Sequence, residues 1–170
     1  MLGRAAIAGC LVALLISAAG AQAAEMEKEP SAELEIGAAG EWSLPGSSGF
    51  GPSLALEFTP IEHWLEIETG VSPMFGGNRR EWDTELIFKK PFALSGNVEM
   101  MLGAGPEWLH KTGGGDVPDS LGAVAVLDFQ FWPGSQRSYG YFVEPSYGCD
   151  FGRGHEQSLG VTVGLLIGLP

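Results

Sequence analysis

The chain has 170 residues, a formal net charge of −12 and two cysteines. That length suits a single domain, that charge opposes the phosphate contacts on which nucleic-acid binding depends, and so few cysteines cannot build a disulfide framework. Stability has to come from the fold itself.

The first segment is expected to be removed. Arg4 gives a short positive start, residues 5–19 are mostly apolar, and Ala21-Gln22-Ala23 has the small-residue pattern of a cleavage site. The apolar stretch is shorter than the roughly 20 residues a membrane-spanning helix needs. We read 1–24 as a signal peptide, 25–30 as a short periplasmic segment and 31–170 as the folded domain. Ile7-Ala8-Gly9-Cys10 looks like a lipobox but precedes the hydrophobic stretch instead of following it. Cleavage removes Arg4 and Cys10, so the mature chain is more acidic still and Cys149 has no cysteine to pair with inside it.

From Ser31 on, apolar and polar residues alternate with period two, the pattern of a strand with two unlike faces. The first run places Leu34, Ile36, Ala38, Trp42 and Leu44 opposite Glu33, Glu35, Gly37, Ala39 and Glu41. The second sets Leu54, Leu56 and Phe58 against Ser53, Ala55 and Glu57, and the third Leu65, Ile67 and Val71 against Glu66, Glu68 and Gly70. In the fourth, Trp82, Leu86 and Phe88 oppose Asp83, Glu85 and Lys89. In the fifth, Val98, Met100, Leu102, Ala104 and Trp108 oppose Glu99, Gly103, Gly105 and Glu107. The sixth sets Leu121, Leu127, Phe129 and Phe131 against Gly122, Asp128 and Gln130. The seventh sets Tyr141, Val143 and Tyr147 against Glu144, Ser146 and Gly148. The eighth sets Leu159, Val161, Val163, Leu165 and Ile167 against Ser158, Gly160, Thr162 and Gly164.

Eight such runs joined by short turns predict an all-β, eight-stranded antiparallel up-and-down barrel, whose closure removes exposed edges. An even count and strands of roughly 9–14 residues suit a transmembrane barrel. Ser72 to Arg80 and His110 to Ser120 read as the longest loops. Pro145 lies mid-strand, where its missing N–H predicts a bulge.

Alternation alone leaves two barrels open: one in a membrane with its apolar face outward, and a soluble, lipocalin-like one binding an apolar ligand within. Small residues favour the first. Gly37, Ala39, Ala55, Gly70, Gly103, Gly105, Gly122, Gly148, Gly160 and Gly164 all share the polar face, and the interior of an eight-stranded barrel is narrow. Aromatics agree. Trp42, Trp82 and Trp108 are expected at one rim, and Phe88, Phe131, Trp132 and Tyr139 at the other, as two girdles flanking an aliphatic band.

The inner face is then acidic, with Glu57, Glu66, Glu68, Glu85, Glu99, Glu107, Asp128 and Glu144 directed into the lumen beside Lys89. Crowded carboxylates repel, so shared protons, cations or water have to compensate. Arg80, Lys111, Arg137 and Arg153 are expected in or near loops. The leading expectation is a lumen plugged by its own side chains, with a small cation-selective pore as the alternative.

His63, His110 and His155 have no metal-site spacing, and no cofactor is expected. Ser158 with His155 and Asp150 is the one cluster that could make a hydrolase. Membrane-barrel lipid A deacylases carry alternating His and Ser on one strand, and no H-x-S pair occurs here. We expect no enzyme.

The runs as a whole resemble the small eight-stranded barrels of the OmpX and OmpA-membrane-domain type. Phe88-Lys89-Lys90-Pro91-Phe92, Gly105-Pro106-Glu107-Trp108, residues 127–133 and Glu144-Pro145-Ser146-Tyr147-Gly148 resemble a group of uncharacterised proteobacterial outer-membrane β-barrel proteins. The resemblance implies an integral barrel in a Gram-negative outer membrane with a structural or interaction role. Its partners would be outer-membrane lipid and, during biogenesis, the assembly machinery, with no nucleic acid. It carries over no functional residue. Such barrels commonly end in an aromatic residue, whereas this sequence ends Leu169-Pro170.

Overall fold

The computed structural model describes residues 30–44, 46–76, 79–112, 118–152 and 155–169. The expected leader, residues 25–29, Arg153, Pro170 and the Gly113-to-Asp116 turn lie outside them.

Eight strands follow one another: β1 (Ala32–Leu44), β2 (Ser48–Ile61), β3 (Leu65–Gly76), β4 (Arg79–Ser95), β5 (Val98–Thr112), β6 (Ser120–Phe131), β7 (Tyr139–Asp150) and β8 (Gln157–Leu169). Each pairs antiparallel with the next, and β1 pairs with β8 from Ala32↔Leu169 to Leu44↔Gln157, so the sheet closes on itself. β1 starts and β8 finishes at what we call the proximal end. The opposite end is distal.

Six strands have the 12–14 residues that the alternation allowed, and two run longer, β4 with 17 residues and β5 with 15. The segment from Ser72 to Arg80 is not a long loop. β3 continues through Pro73 to Gly76, and β4 takes up again at Arg79.

Pro145 corrects a second expectation. β6 and β7 keep one register from Gly122↔Asp150 to Phe131↔Tyr141, with no bulge, but the ladder lapses where Leu127 and Asp128 face Pro145 and Glu144. The same holds elsewhere. In β2·β3 the ladder lapses between Phe50↔Phe75 and Leu54↔Val71, where the register puts Pro52 opposite Pro73. In β4·β5 it lapses between Glu85↔Glu107 and Phe88↔Ala104, a stretch containing Pro106. Proline cannot donate to a ladder. Setting two prolines opposite each other confines their loss to one gap, so the closed sheet tolerates them without changing register. The true register shifts lie at the proximal end, between Phe58 and Ile61 and between Ala93 and Ser95.

Side-chain direction follows parity throughout. Ile36, Leu54, Leu86, Leu102, Leu121, Leu159 and Leu165 are exposed on the outside, whereas Glu35, Glu57, Glu68, Lys89, Asp128 and Glu144 are buried within. The interior is not wholly polar. Ile87, Val124 and Val126 form one apolar cluster, and Trp132, Phe142 and Leu166 another.

Candidate functional site

The lumen is the candidate site, and its centre is Lys89. Period-two geometry turns Lys89 inward on β4, and its β5 partner is Gly103. A Cβ on Gly103 would lie 2.8 Å from Lys89 Cγ and 2.8 Å from Ile87 Cγ2, so the glycine leaves room for the lysine stem. Lys89 Nζ lies 3.1 Å from Glu57 Oε2, 3.2 Å from Asp128 Oδ2 and 2.9 Å from Glu144 Oε2, and pairs with Glu68 as well. The lysine side chain is fully buried, and Asp128 is equally so. Gln130 Nε2 donates to Asp128 Oδ2 at 3.3 Å and to Glu57 Oε1 at 3.5 Å. Glu35 completes the group: its carboxylate and those of Glu57 and Asp128 each offer an oxygen within 4.8 Å of the others.

Below this cage, toward the proximal end, lie Arg137 and Trp132, both buried. Arg137, at φ 45° in the turn between β6 and β7, directs its guanidinium into the barrel. It donates to Glu99 Oε2 at 2.8 Å and lies 5.7 Å from the centre of the Trp132 ring. Trp132 is anchored by its backbone, which exchanges hydrogen bonds with Asn97: Trp132 N–H donates at 2.8 Å, and Asn97 Nδ2 donates back to the Trp132 carbonyl at 2.6 Å.

Above the cage the lumen opens toward the distal end. A cavity of about 40 Å³ lies among Glu85, Glu107, Glu144, Ser146 and Thr162. A second, of about 80 Å³, is lined by Glu41, Glu81, Glu107, Lys111, Asp150 and Ser158. Together they have room for several waters. Lys111 Nζ sits 3.0 Å from Asp150 Oδ2, which also accepts from Ser120 Oγ at 2.9 Å.

All eight acids expected in the lumen point into it. Glu57, Glu66, Glu68, Glu99, Glu107, Asp128 and Glu144 are buried, and Glu85 is half-buried against the distal cavity. Two cations expected near loops are found there, Arg137 in the β6–β7 turn and Lys111 next to the end of β5, and both also pair with acids, Arg137 with Glu99 and Lys111 with Asp150. Trp42, Trp82 and Trp108 are exposed on the outside toward the distal end, and Phe88 and Tyr139 toward the proximal end. Phe131 stacks on Tyr141 with ring centres 5.2 Å apart. Trp132 is the exception. At 1% exposure it belongs to the inner cluster, not to a girdle. Its parity with Asp128 and Gln130 was the signal for this. Trp64 lies in the three-residue turn before β3 and is exposed. Lys90 reaches past it to the His63 carbonyl at 3.2 Å, within 6 Å of the Trp64 and Phe92 rings.

The hydrolase cluster is not assembled. Asp150 is held by Lys111, Ser120 and the Gly152 N–H, Ser158 bonds to Glu41, and His155 is exposed.

No family model matches the chain, and no curated protein matches it. Solved structures do. The chain is similar to the neisserial surface protein NspA, with a TM-score of 0.69 at 14% identity, covering 84% of this chain and all of that one. It is similar to the outer membrane protein OprG of Pseudomonas aeruginosa, with a TM-score of 0.64 at 10% identity, covering 84% and 97%. The outer membrane enzyme PagL is also similar, with a TM-score of 0.53 at 13% identity, covering 79% and 99%. The fold is therefore that of the small eight-stranded outer-membrane barrels.

Proposed function

We propose that the chain is an integral protein of a bacterial outer membrane, with a structural or interaction role and a lumen plugged by its own side chains. The observation that carries this reading is the outer surface. Large apolar side chains stand exposed all around the barrel while carboxylates and a lysine are buried inside it, the reverse of a water-soluble protein. A hydrocarbon layer is the solvent that makes that distribution favourable, and a closed sheet leaves no unpaired edge in it. Trp42, Trp82 and Trp108 at one rim, and Tyr139 and the Lys90–Trp64 pair at the other, are the amphipathic groups that settle at lipid headgroups, with the apolar Phe88 ring beside them. Lipid is thus the principal partner, with the assembly machinery acting during insertion.

Catalysis is not part of this reading. The same fold serves the outer membrane enzyme PagL as well as the surface protein NspA, so the decision rests on the site. Here the candidate nucleophile bonds to Glu41 and the candidate acid is held by Lys111 and Ser120, while the candidate base is exposed. Nor is a wide pore part of it, because the Lys89 cage and the Trp132 cluster occupy the cross-section.

Tryptophan fluorescence tests the reading. The chain has five tryptophans, and single-tryptophan versions can be refolded into vesicles of brominated phosphatidylcholine. Trp82 or Trp108 alone should be strongly quenched relative to unbrominated vesicles, and Trp132 alone should not. Absence of quenching at Trp82 and Trp108 would mean that the apolar face does not meet lipid.

A further inference from the structure

We propose that Glu35, Glu57 and Asp128 form a binding site for one divalent cation of the hard, oxygen-preferring class, deep in the lumen beside Lys89. This goes beyond a barrel plugged by protein alone. The first ground is a shortage of donors. An ammonium has three protons to give, and Lys89 Nζ already lies within 4 Å of Glu57, Glu68, Asp128 and Glu144. Gln130 serves Glu57 and Asp128 once more.

The second ground is Glu35, which belongs to none of those pairs. It is 3% exposed, and its Oε1 has no donor. Asp128 Oδ1, on a fully buried residue, has none either. A buried carboxylate oxygen with no donor costs free energy that a bound positive charge removes.

The third ground is size and chemistry. Oxygens from the three residues lie within 4.8 Å of one another. Ligands on opposite sides of Ca²⁺, at about 2.3–2.6 Å each, are about 5 Å apart. No imidazole or thiolate takes part, which disfavours zinc and softer metals. The distal cavities lead down to Glu144, which touches the same lysine. An ion therefore has a carboxylate-lined approach from one end.

Ca²⁺ itself is the probe. The mature barrel, stripped with a chelator while unfolded and refolded in detergent with Ca²⁺, should retain close to one ion per chain after gel filtration, measured by atomic emission. The folded state should also unfold at a higher urea concentration with Ca²⁺ than with chelator. Glu35→Gln and Asp128→Asn should each weaken retention at least tenfold, with folding checked by the mobility of the unheated protein in SDS gels. Glu41→Gln at the distal mouth should leave it unchanged. If either site variant does not fold, the Ca²⁺-dependent shift of the parent chain and its persistence in Glu41→Gln carry the test. No retained ion and no shift in the parent chain would overturn the proposal. So would an ion lost in Glu41→Gln but kept in Glu35→Gln.

Discussion

Lys89 shows at the scale of one residue how a narrow barrel uses charge. Its ammonium is the only cation that the structure places among Glu57, Glu68, Asp128 and Glu144 in the described residues. Removing one partner from a buried ionic group leaves the other charges uncompensated, which typically costs about 3–5 kcal/mol. Lys89→Met should therefore lower the urea midpoint of the refolded barrel by a corresponding amount, or prevent folding. A midpoint unchanged from the parent would mean that the cage is neutralised without the lysine. The contrast is Lys111, which is part-exposed at the distal mouth. Pairs of that kind contribute about 0–1 kcal/mol. Lys89 was legible because it sits on strand parity well inside β4, whereas Lys111 shares the inward parity of Glu107 but stands at the end of β5, next to a loop. Arg137 was not legible, because its direction depends on how a turn outside the alternation folds back into the barrel end.

Elements were the most legible level. Period-two alternation located all eight strands and their faces, because a slip of one residue would exchange the buried and exposed sets. Strand ends were not legible where Gly and Pro occur inside strands. Pro73 and Gly76 have the chemistry of a turn, yet β3 runs through both, since Pro52 lies across from Pro73 and the gap is shared. Gly105 has a related task. A Cβ there would overlap the Leu86 carbonyl, in the stretch where the β4·β5 ladder lapses beside Pro106. The obstacle is backbone, which cannot move aside as a side-chain tip can. Gly105→Ala should lower stability by about 1–3 kcal/mol, the range for overpacking. Gly96→Ala, with open space around the added methyl, should stay within about 0.5 kcal/mol. Urea unfolding followed by tryptophan fluorescence compares the two, and equal midpoints would remove the close-approach explanation.

For the whole molecule, the decisive property is that its solvent differs on the two faces. Val163 lies midway along β8, opposite Ala38 and Val143, and is 46% exposed on the outer surface. Leu44 is equally outward but at the distal end of β1. Arginine on the lipid face costs about 2–4 kcal/mol at the bilayer midplane and about 0–1 near the interfaces. Val163→Arg should therefore destabilise the barrel in phospholipid vesicles far more than Leu44→Arg. Equal tolerance of both would mean that this outer face meets water instead of lipid. The sequence carried the location of the apolar face and the expectation of a plugged lumen, but not the inner apolar clusters. Ile87, Val126, Phe142 and Leu166 are apolar residues on the polar parity, and they cluster only when the strands converge on one axis.

The most direct test of the membrane assignment is to express the full chain in a Gram-negative host, separate the membranes and wash them with urea. The account predicts that the protein stays in the outer-membrane fraction through the wash and is released by detergent alone. Recovery in the soluble periplasmic fraction would contradict it and turn the apolar face into a ligand-binding interior.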